Sequence, residues 1–184
     1  MPSIGIVSPG AMGSTLAKPL IDSGHDVFWA SEFRSTKTKE NADLIGINDV
    51  FDVSKLFGEC DYIFCILSGS GWMDVAKAAI ANKYDGIYVD FNGLYPNDID
   101  ALSNLFLDSK VKYVEGAVRA WPLSECKEIP SKDNPAYLGF EPRTMYLSGE
   151  ELGSVVSLHK VDFWKFVECD KSAKFKVLEI SNTR

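Results

Sequence analysis

Two glycines three residues apart, Gly10 and Gly13, sit where an apolar β-type run, Ser3-Ile4-Gly5-Ile6-Val7, gives way to a helical one, Ala11 to Ile21. In the second run Met12, Leu16, Ala17, Leu20 and Ile21 recur at helical spacing. Ser23-Gly24 ends it, glycine being the usual left-handed residue past a helix C-terminus. The connecting turn is Ser8-Pro9-Gly10-Ala11-Met12-Gly13. It fits the strand–turn–helix context of the G-x-G-x-x-G pattern, in which the middle glycine admits a pyrophosphate to the backbone and the last lets helix and strand pack closely. Gly10 and Gly13 hold the second and third glycine positions, and Ser8 stands at the first. Free amides and the dipole at the helix N-terminus favour phosphate charge there. The competing reading is a tight strand–helix turn that holds no ligand.

The rest of the chain alternates in the same way. Asp26 to Ala30, Asp61 to Leu67, Gly86 to Phe91, Val111 to Val118, Arg143 to Leu147 and Phe175 to Ile180 read as strands. Ser35 to Asn41, Val53 to Phe57, Trp72 to Ala81, Asn97 to Leu107 and Glu150 to Leu158 read as helices or helix starts. The expectation is one α/β domain over residues 1–184: a doubly wound, mostly parallel Rossmann sheet of about seven strands with helices on both faces. Pro122 to Pro142 holds four prolines among polar residues and reads as a long loop.

Length and composition agree with this. At 184 residues, roughly 70% of the unfolded surface can be buried, so the core needs neither disulfide nor metal. A net charge of −7 argues against an extended nucleic-acid surface. No apolar run approaches the roughly 20 residues of a membrane-spanning helix, and the start lacks the pattern of a secretory signal. Cys60, Cys65, Cys126 and Cys169 form no C-x-x-C pair, and His25 and His159 are the only imidazoles, a poor zinc inventory. A cytoplasmic protein without metal, nucleic-acid or membrane partner is expected.

Three further strand exits carry candidate residues. After the second strand the chain reads Ser31-Glu32-Phe33-Arg34-Ser35-Thr36-Lys37. Glu32, 19 residues beyond Gly13, suits the ribose hydroxyls of NAD. Arg34, with Ser35 and Lys37, makes a phosphate-sized cluster in an acidic chain, and the guanidinium fork suits a 2′-phosphate. The balance favours NADP over NAD, a solvated helix start being the bland alternative. Leu67-Ser68-Gly69-Ser70-Gly71 follows the central strand, and its small residues suit passage of a nicotinamide ribose. In Asp90-Phe91-Asn92-Gly93, Asn92 reads equally as a ligand to a carboxamide or substrate hydroxyl and as an ordinary turn residue.

These pieces together resemble a known family. Gly5 to Gly13, Ser23-Gly24-His25-Asp26-Val27, Trp29 to Ser35, Val89 to Gly93, Tyr113 to Val118 and Tyr146-Leu147-Ser148-Gly149 are similar to the NADP-binding domain of the 6-phosphogluconate and 3-hydroxyacid dehydrogenase superfamily. The resemblance covers residues 1 to 180 and is nearest to the branch whose second strand ends in A-S-E-x-R-S. It implies that Pro9, Gly10, Ala11 and Met12 contact the pyrophosphate, that Ser31, Arg34 and Ser35 face the adenosine phosphate, and that Ser68 and Asn92 line the nicotinamide end. The family's substrate loop falls on Gly116 to Trp121, which here reads Gly-Ala-Val-Arg-Ala-Trp without the usual serine and paired glycines; Arg119 reads as a plain surface arginine before it reads as a ligand to an anionic substrate. The family's catalytic lysine stands in a G-x-x-x-K setting on a helix after the last Rossmann strand. This sequence ends at Arg184 where that helix would begin, and Lys160, Lys165, Lys171, Lys174 and Lys176 fit no such motif.

The leading expectation is therefore an oxidoreductase, or its cofactor domain, moving hydride between NADP(H) and a small hydroxyl, carbonyl or imine compound, with the catalytic residue unassigned. The implied partners are a second copy or a helical domain. The alternative is a non-catalytic dinucleotide-binding or docking module. Phe163, Trp164 and Phe166 are candidates for an apolar docking patch or, at helical spacing, for plain core.

Overall fold

The computed structural model describes residues 1–67, 69–120, 122, 143–160, 163–170, 172 and 173. The strands are β1 (Ser3–Ile6), β2 (Asp26–Trp29), β3 (Asn48–Asp49), β4 (Tyr62–Cys65), β5 (Ile87–Asp90), β6 (Lys112–Arg119), β7 (Thr144–Ser148) and β8 (Lys165–Glu168). The helices are α1 (Ala11–Asp22), α2 (Thr36–Ile45), α3 (Val53–Glu59), α4 (Trp72–Ala81), α5 (Pro96–Phe106) and α6 (Leu152–Ser157). The strands form one sheet in the order β3-β2-β1-β4-β5-β6-β7-β8. Every neighbouring pair is parallel except β6 and β7, so β7 and β8 run against the rest. The strand order reverses beside β1, between β1 and β4, the place where open α/β sheets leave a crevice at their C-terminal edge.

Side-chain alternation builds two cores, one on each face. Ile4, Ile6, Val27, Phe64, Val89 and Met145 point to the face covered by Leu16, Ala17 and Leu20 of α1, Ala42 and Ile45 of α2, and Val155 of α6. Ile63, Cys65 and Tyr88 point to the other, against Leu56 and Phe57 of α3, Val75, Ala76 and Ala79 of α4, and Leu102 and Phe106 of α5. β4 is thus apolar on both sides, as a central parallel strand must be. Local signals set the helix bounds. The Ser35 hydroxyl accepts the Thr38 amide at 3.2 Å to start α2, and Gly46, at φ 72°, ends it.

The sheet exceeds the expected strands in two places. β3 is a two-residue edge ladder on β2, too short to show a period. β8 takes in Phe166 and follows Phe163 and Trp164, and these last two are buried in the core, which rules them out as an exposed patch. The strand expected over Phe175 to Ile180, the loop expected over 122–142 apart from Pro122, and Ser68, Trp121, Cys126, Lys171, Lys174 and Lys176 lie outside the described residues. Cys60, Cys65 and Cys169 are free thiols, and burial pushes those of Cys60 and Cys65 up to about 12.

α6 is fastened to the α1–β2 corner by long-range polar contacts. His25 Nε2 donates to the Leu158 carbonyl at 2.7 Å, and the Lys160 amide donates to the Ser23 hydroxyl at 2.9 Å. His159 lies between them with its ring 5.3 Å from that of Phe166. Both of its ring nitrogens are buried without a hydrogen-bond partner among the described residues. Burial, and then the nearby His25, push its pKa down to about 4, so the ring is neutral in the fold.

Candidate dinucleotide site

The two glycines of the first turn are needed for different reasons. A Cβ on Gly13 would stand 1.9 Å from the Ser8 carbonyl oxygen, so only glycine lets α1 start this close to β1. A Cβ on Gly10 would meet nothing within 4 Å among the described residues. Packing therefore does not call for glycine at position 10; its bare backbone leaves open space at the head of α1. Gly10 is the N-cap of α1, has no side chain to satisfy the first-turn amides, and no acidic residue follows in that turn. The hydroxyls of Ser14 and Thr15 turn back to the Ala11 carbonyl at 3.0 and 2.8 Å. What α1 offers outward is backbone amide and helix dipole, the chemistry that takes up phosphate. Pro9 is buried, Ser8 and Met12 are half-buried, and Ala11 is exposed.

At the exit of β2 the candidate residues are locked into a turn. The Arg34 amide donates to the Ser31 carbonyl at 3.2 Å, and Phe33 between them has φ 57°. This is the third position of a β-turn, where glycine or asparagine is usual, and a bulky residue there costs about 1–3 kcal/mol. Phe33 is nevertheless 96% exposed. The turn is tied to the next loop: the Glu32 amide donates to the Phe51 carbonyl at 2.9 Å. Asp49, at the end of β3, accepts the Ser31 amide at 3.2 Å and the Phe51 amide at 2.7 Å. Burial alone would raise the Asp49 carboxyl, but the hydrogen bonds from the Ser31 hydroxyl and these two amides, with the charge of Lys39, hold it below its ordinary value. Asp49 is a site residue that sequence reasoning did not single out. Its signal was faint, an acid two residues before Phe51 in a segment with no strand periodicity.

Arg34 is half-buried, and its Nε is buried without a hydrogen-bond partner among the described residues. Burial pulls the guanidinium below its ordinary value. Of the cluster expected around it, Ser35 is engaged as the cap of α2, and Lys37 pairs with Glu40 at 3.5 Å on the exposed helix surface. Ser31 is buried and bound to Asp49, and Glu32 is half-buried beside Phe33.

The exits of β4 and β5 are joined by one side chain. Asn92, 3% exposed, accepts the Leu67 amide through Oδ1 at 2.7 Å and donates through Nδ2 to the Cys65 carbonyl at 3.3 Å and to the buried Asp90 carboxylate. Its amide is thus engaged in the protein, where it sets the path of the loop after β4; Leu67 leads directly to Ser68, which lies outside the described residues. Replacing Asn92 with alanine leaves a buried amide and a buried carboxylate short of a partner, and unfolding should become easier by about 1–3 kcal/mol. Urea titration of Asn92→Ala against the wild type checks this; coincident midpoints would show the junction to be dispensable. Gly116 on β6 is required by packing, since a Cβ there would stand 2.3 Å from the Phe91 ring.

No protein-family profile matches the chain, and no curated protein matches it in sequence. Solved structures match its fold. A conserved protein of unknown function, described as structurally similar to 3-hydroxyacid dehydrogenases, superimposes with a TM-score of 0.73 at 20% identity over 98% of this chain and 64% of its own. An imine reductase from Pseudomonas sp. gives 0.72 at 19% identity, covering 99% and 61%. An imine reductase from Myxococcus stipitatus in complex with NADP+ gives 0.72 at 16% identity, covering 99% and 62%, and a variant from that organism is in complex with NAD+. The fold is therefore shared with these proteins, and the chain spans about three fifths of the length of each.

Proposed function

We propose that the chain is the cofactor-binding part of an NADP-dependent oxidoreductase related to the 6-phosphogluconate and 3-hydroxyacid dehydrogenases, acting on a small hydroxyl, carbonyl or imine compound. The observation that carries the reading is the pair of glycines, one demanded by the Ser8 carbonyl and the other demanded by no contact among the described residues. A shared fold alone would not carry it. Bound there, the nicotinamide group would supply hydride; the residues of this chain would bind and orient it. Gly10 and the first amides of α1 would take the pyrophosphate. Arg34, charged and with an unused Nε, would take the 2′-phosphate and so favour NADP over NAD. Asn92 would act through the backbone it holds, positioning the loop after β4 at the nicotinamide end. The buried free thiols suit a cytoplasmic setting, and a second copy or a helical domain would complete the substrate pocket.

Calorimetric titration with NADP+ and NAD+ tests this. Wild type should bind NADP+ more tightly than NAD+. Removing the guanidinium should weaken NADP+ roughly 10- to 100-fold in Arg34→Ala, the range for lost hydrogen bonds to charged groups, and leave NAD+ nearly unchanged. Absence of binding to either nucleotide would overturn the proposal. Binding without NADPH consumption in the presence of carbonyl and imine compounds would favour a non-catalytic module.

A further inference from the structure

We propose that Phe33 is the stacking platform for the adenine ring of the dinucleotide, an inference that rests on the reading of the site given above. Phe33 is the most exposed large apolar side chain among the described residues, at 96%. It holds that exposure in a left-handed backbone conformation, φ 57°, that a benzyl side chain disfavours. So exposed a ring buries almost nothing against the described residues, and strained residues of this kind concentrate at ligand clamps.

The surroundings say what such a clamp would hold. The ring is flanked along the chain by Glu32 and Arg34 and followed by Ser35, Thr36 and Lys37, so its own turn is otherwise polar. Such a setting suits a flat heteroaromatic ring edged with polar groups better than the apolar patch of a protein partner. Arg34, the next residue, brings a cation with a buried unpartnered Nε to the same turn. A ligand with an aromatic base and a phosphate a few ångströms apart meets both groups at once.

The turn is also held rigid. Asp49 fastens Ser31 and Phe51, and the Phe51 carbonyl fastens Glu32. Phe51 is itself 59% exposed at φ 68°, which puts a second ring on the adjoining loop. Asp49 is in this account a positioning residue, because it acts through the backbone on either side of it.

The experiment compares wild type with Phe33→Asn and Phe33→Trp, using calorimetry with NADP+ and with 2′,5′-ADP, thermal melting, and light scattering. Asparagine tolerates the left-handed conformation but cannot stack. Phe33→Asn should bind both nucleotides about 10- to 100-fold more weakly, the range for loss of one base-stacking ring. Its melting temperature should equal or exceed that of wild type by about 2–4 °C per kcal/mol of strain relieved. Phe33→Trp should retain affinity. Unchanged affinity in Phe33→Asn, or loss for NADP+ but not for 2′,5′-ADP, would overturn the assignment. So would unchanged affinity with loss of a self-association seen in wild type, which would make the ring a docking contact. Failure of wild type to bind either nucleotide is a separate result, since it removes the dinucleotide site itself and the stacking role with it.

Discussion

Gly13→Ala should lower the stability of the fold by about 3 kcal/mol or more, while Gly10→Ala should change it by less than about 1 kcal/mol. The added methyl group at position 13 meets a backbone carbonyl at 1.9 Å, which no side-chain rotation relieves; α1 or the β1 exit has to move. At about 2–4 °C per kcal/mol the melting temperature should drop by roughly 10 °C. At position 10 the φ of −65° and ψ of −164° are open to alanine, and the space is free. That space is where the pyrophosphate would lie, so Gly10→Ala should weaken NADP+ binding at least tenfold, about 1.4 kcal/mol, in a protein that melts normally. Thermal melting and calorimetry on the two variants check the pair. Equal melting temperatures would show that the close helix–strand approach is not as described, and unimpaired binding by Gly10→Ala would remove the argument from open space.

Stability should also fall steeply in mild acid. His159 is neutral in the fold with its pKa pushed down to about 4, against an ordinary value near 6.5. Between those limits the unfolded chain takes up a proton that the folded chain refuses, so stability rises with pH through this window and levels off above it. The full effect is up to about 3 kcal/mol. Urea titrations at pH 7.0 and pH 4.5 should show it, and His159→Phe, which keeps a ring against Phe166, should flatten the slope. A variant with the wild-type slope would show that another group sets the acid response. Asp49 acts at lower pH: its carboxyl is held below its ordinary value, so its contribution is present above the unfolded pKa and lost as pH falls through the folded one.

The parts of this molecule that the sequence disclosed are those whose causes lie within a few residues. The helix expected over Trp72 to Ala81 is found with those bounds, because its apolar spacing is local. The first turn was legible as a pattern, but its letters made Gly10 and Gly13 equivalent; the carbonyl that separates them belongs to the backbone of Ser8. Asn92 stood evenly between turn and ligand because its partners at Cys65 and Leu67 are 27 and 25 residues away. β3 was missed because two residues have no period, and with it Asp49, whose importance comes from holding two loops together. Phe33 was read through as the variable letter of A-S-E-x-R-S; only the backbone angle and the exposure set it apart.

The reversal of direction between β6 and β7 has an architectural consequence. Arg119 and Thr144 are directly paired, at the sheet edge that also carries the glycine turn. Strands so placed can be closed by a two-residue hairpin, yet this chain runs from 119 to 144 before it returns. Both anchors of that excursion are fixed by β-pairing. Its two ends therefore stand side by side at the edge of the sheet where a nucleotide would lie.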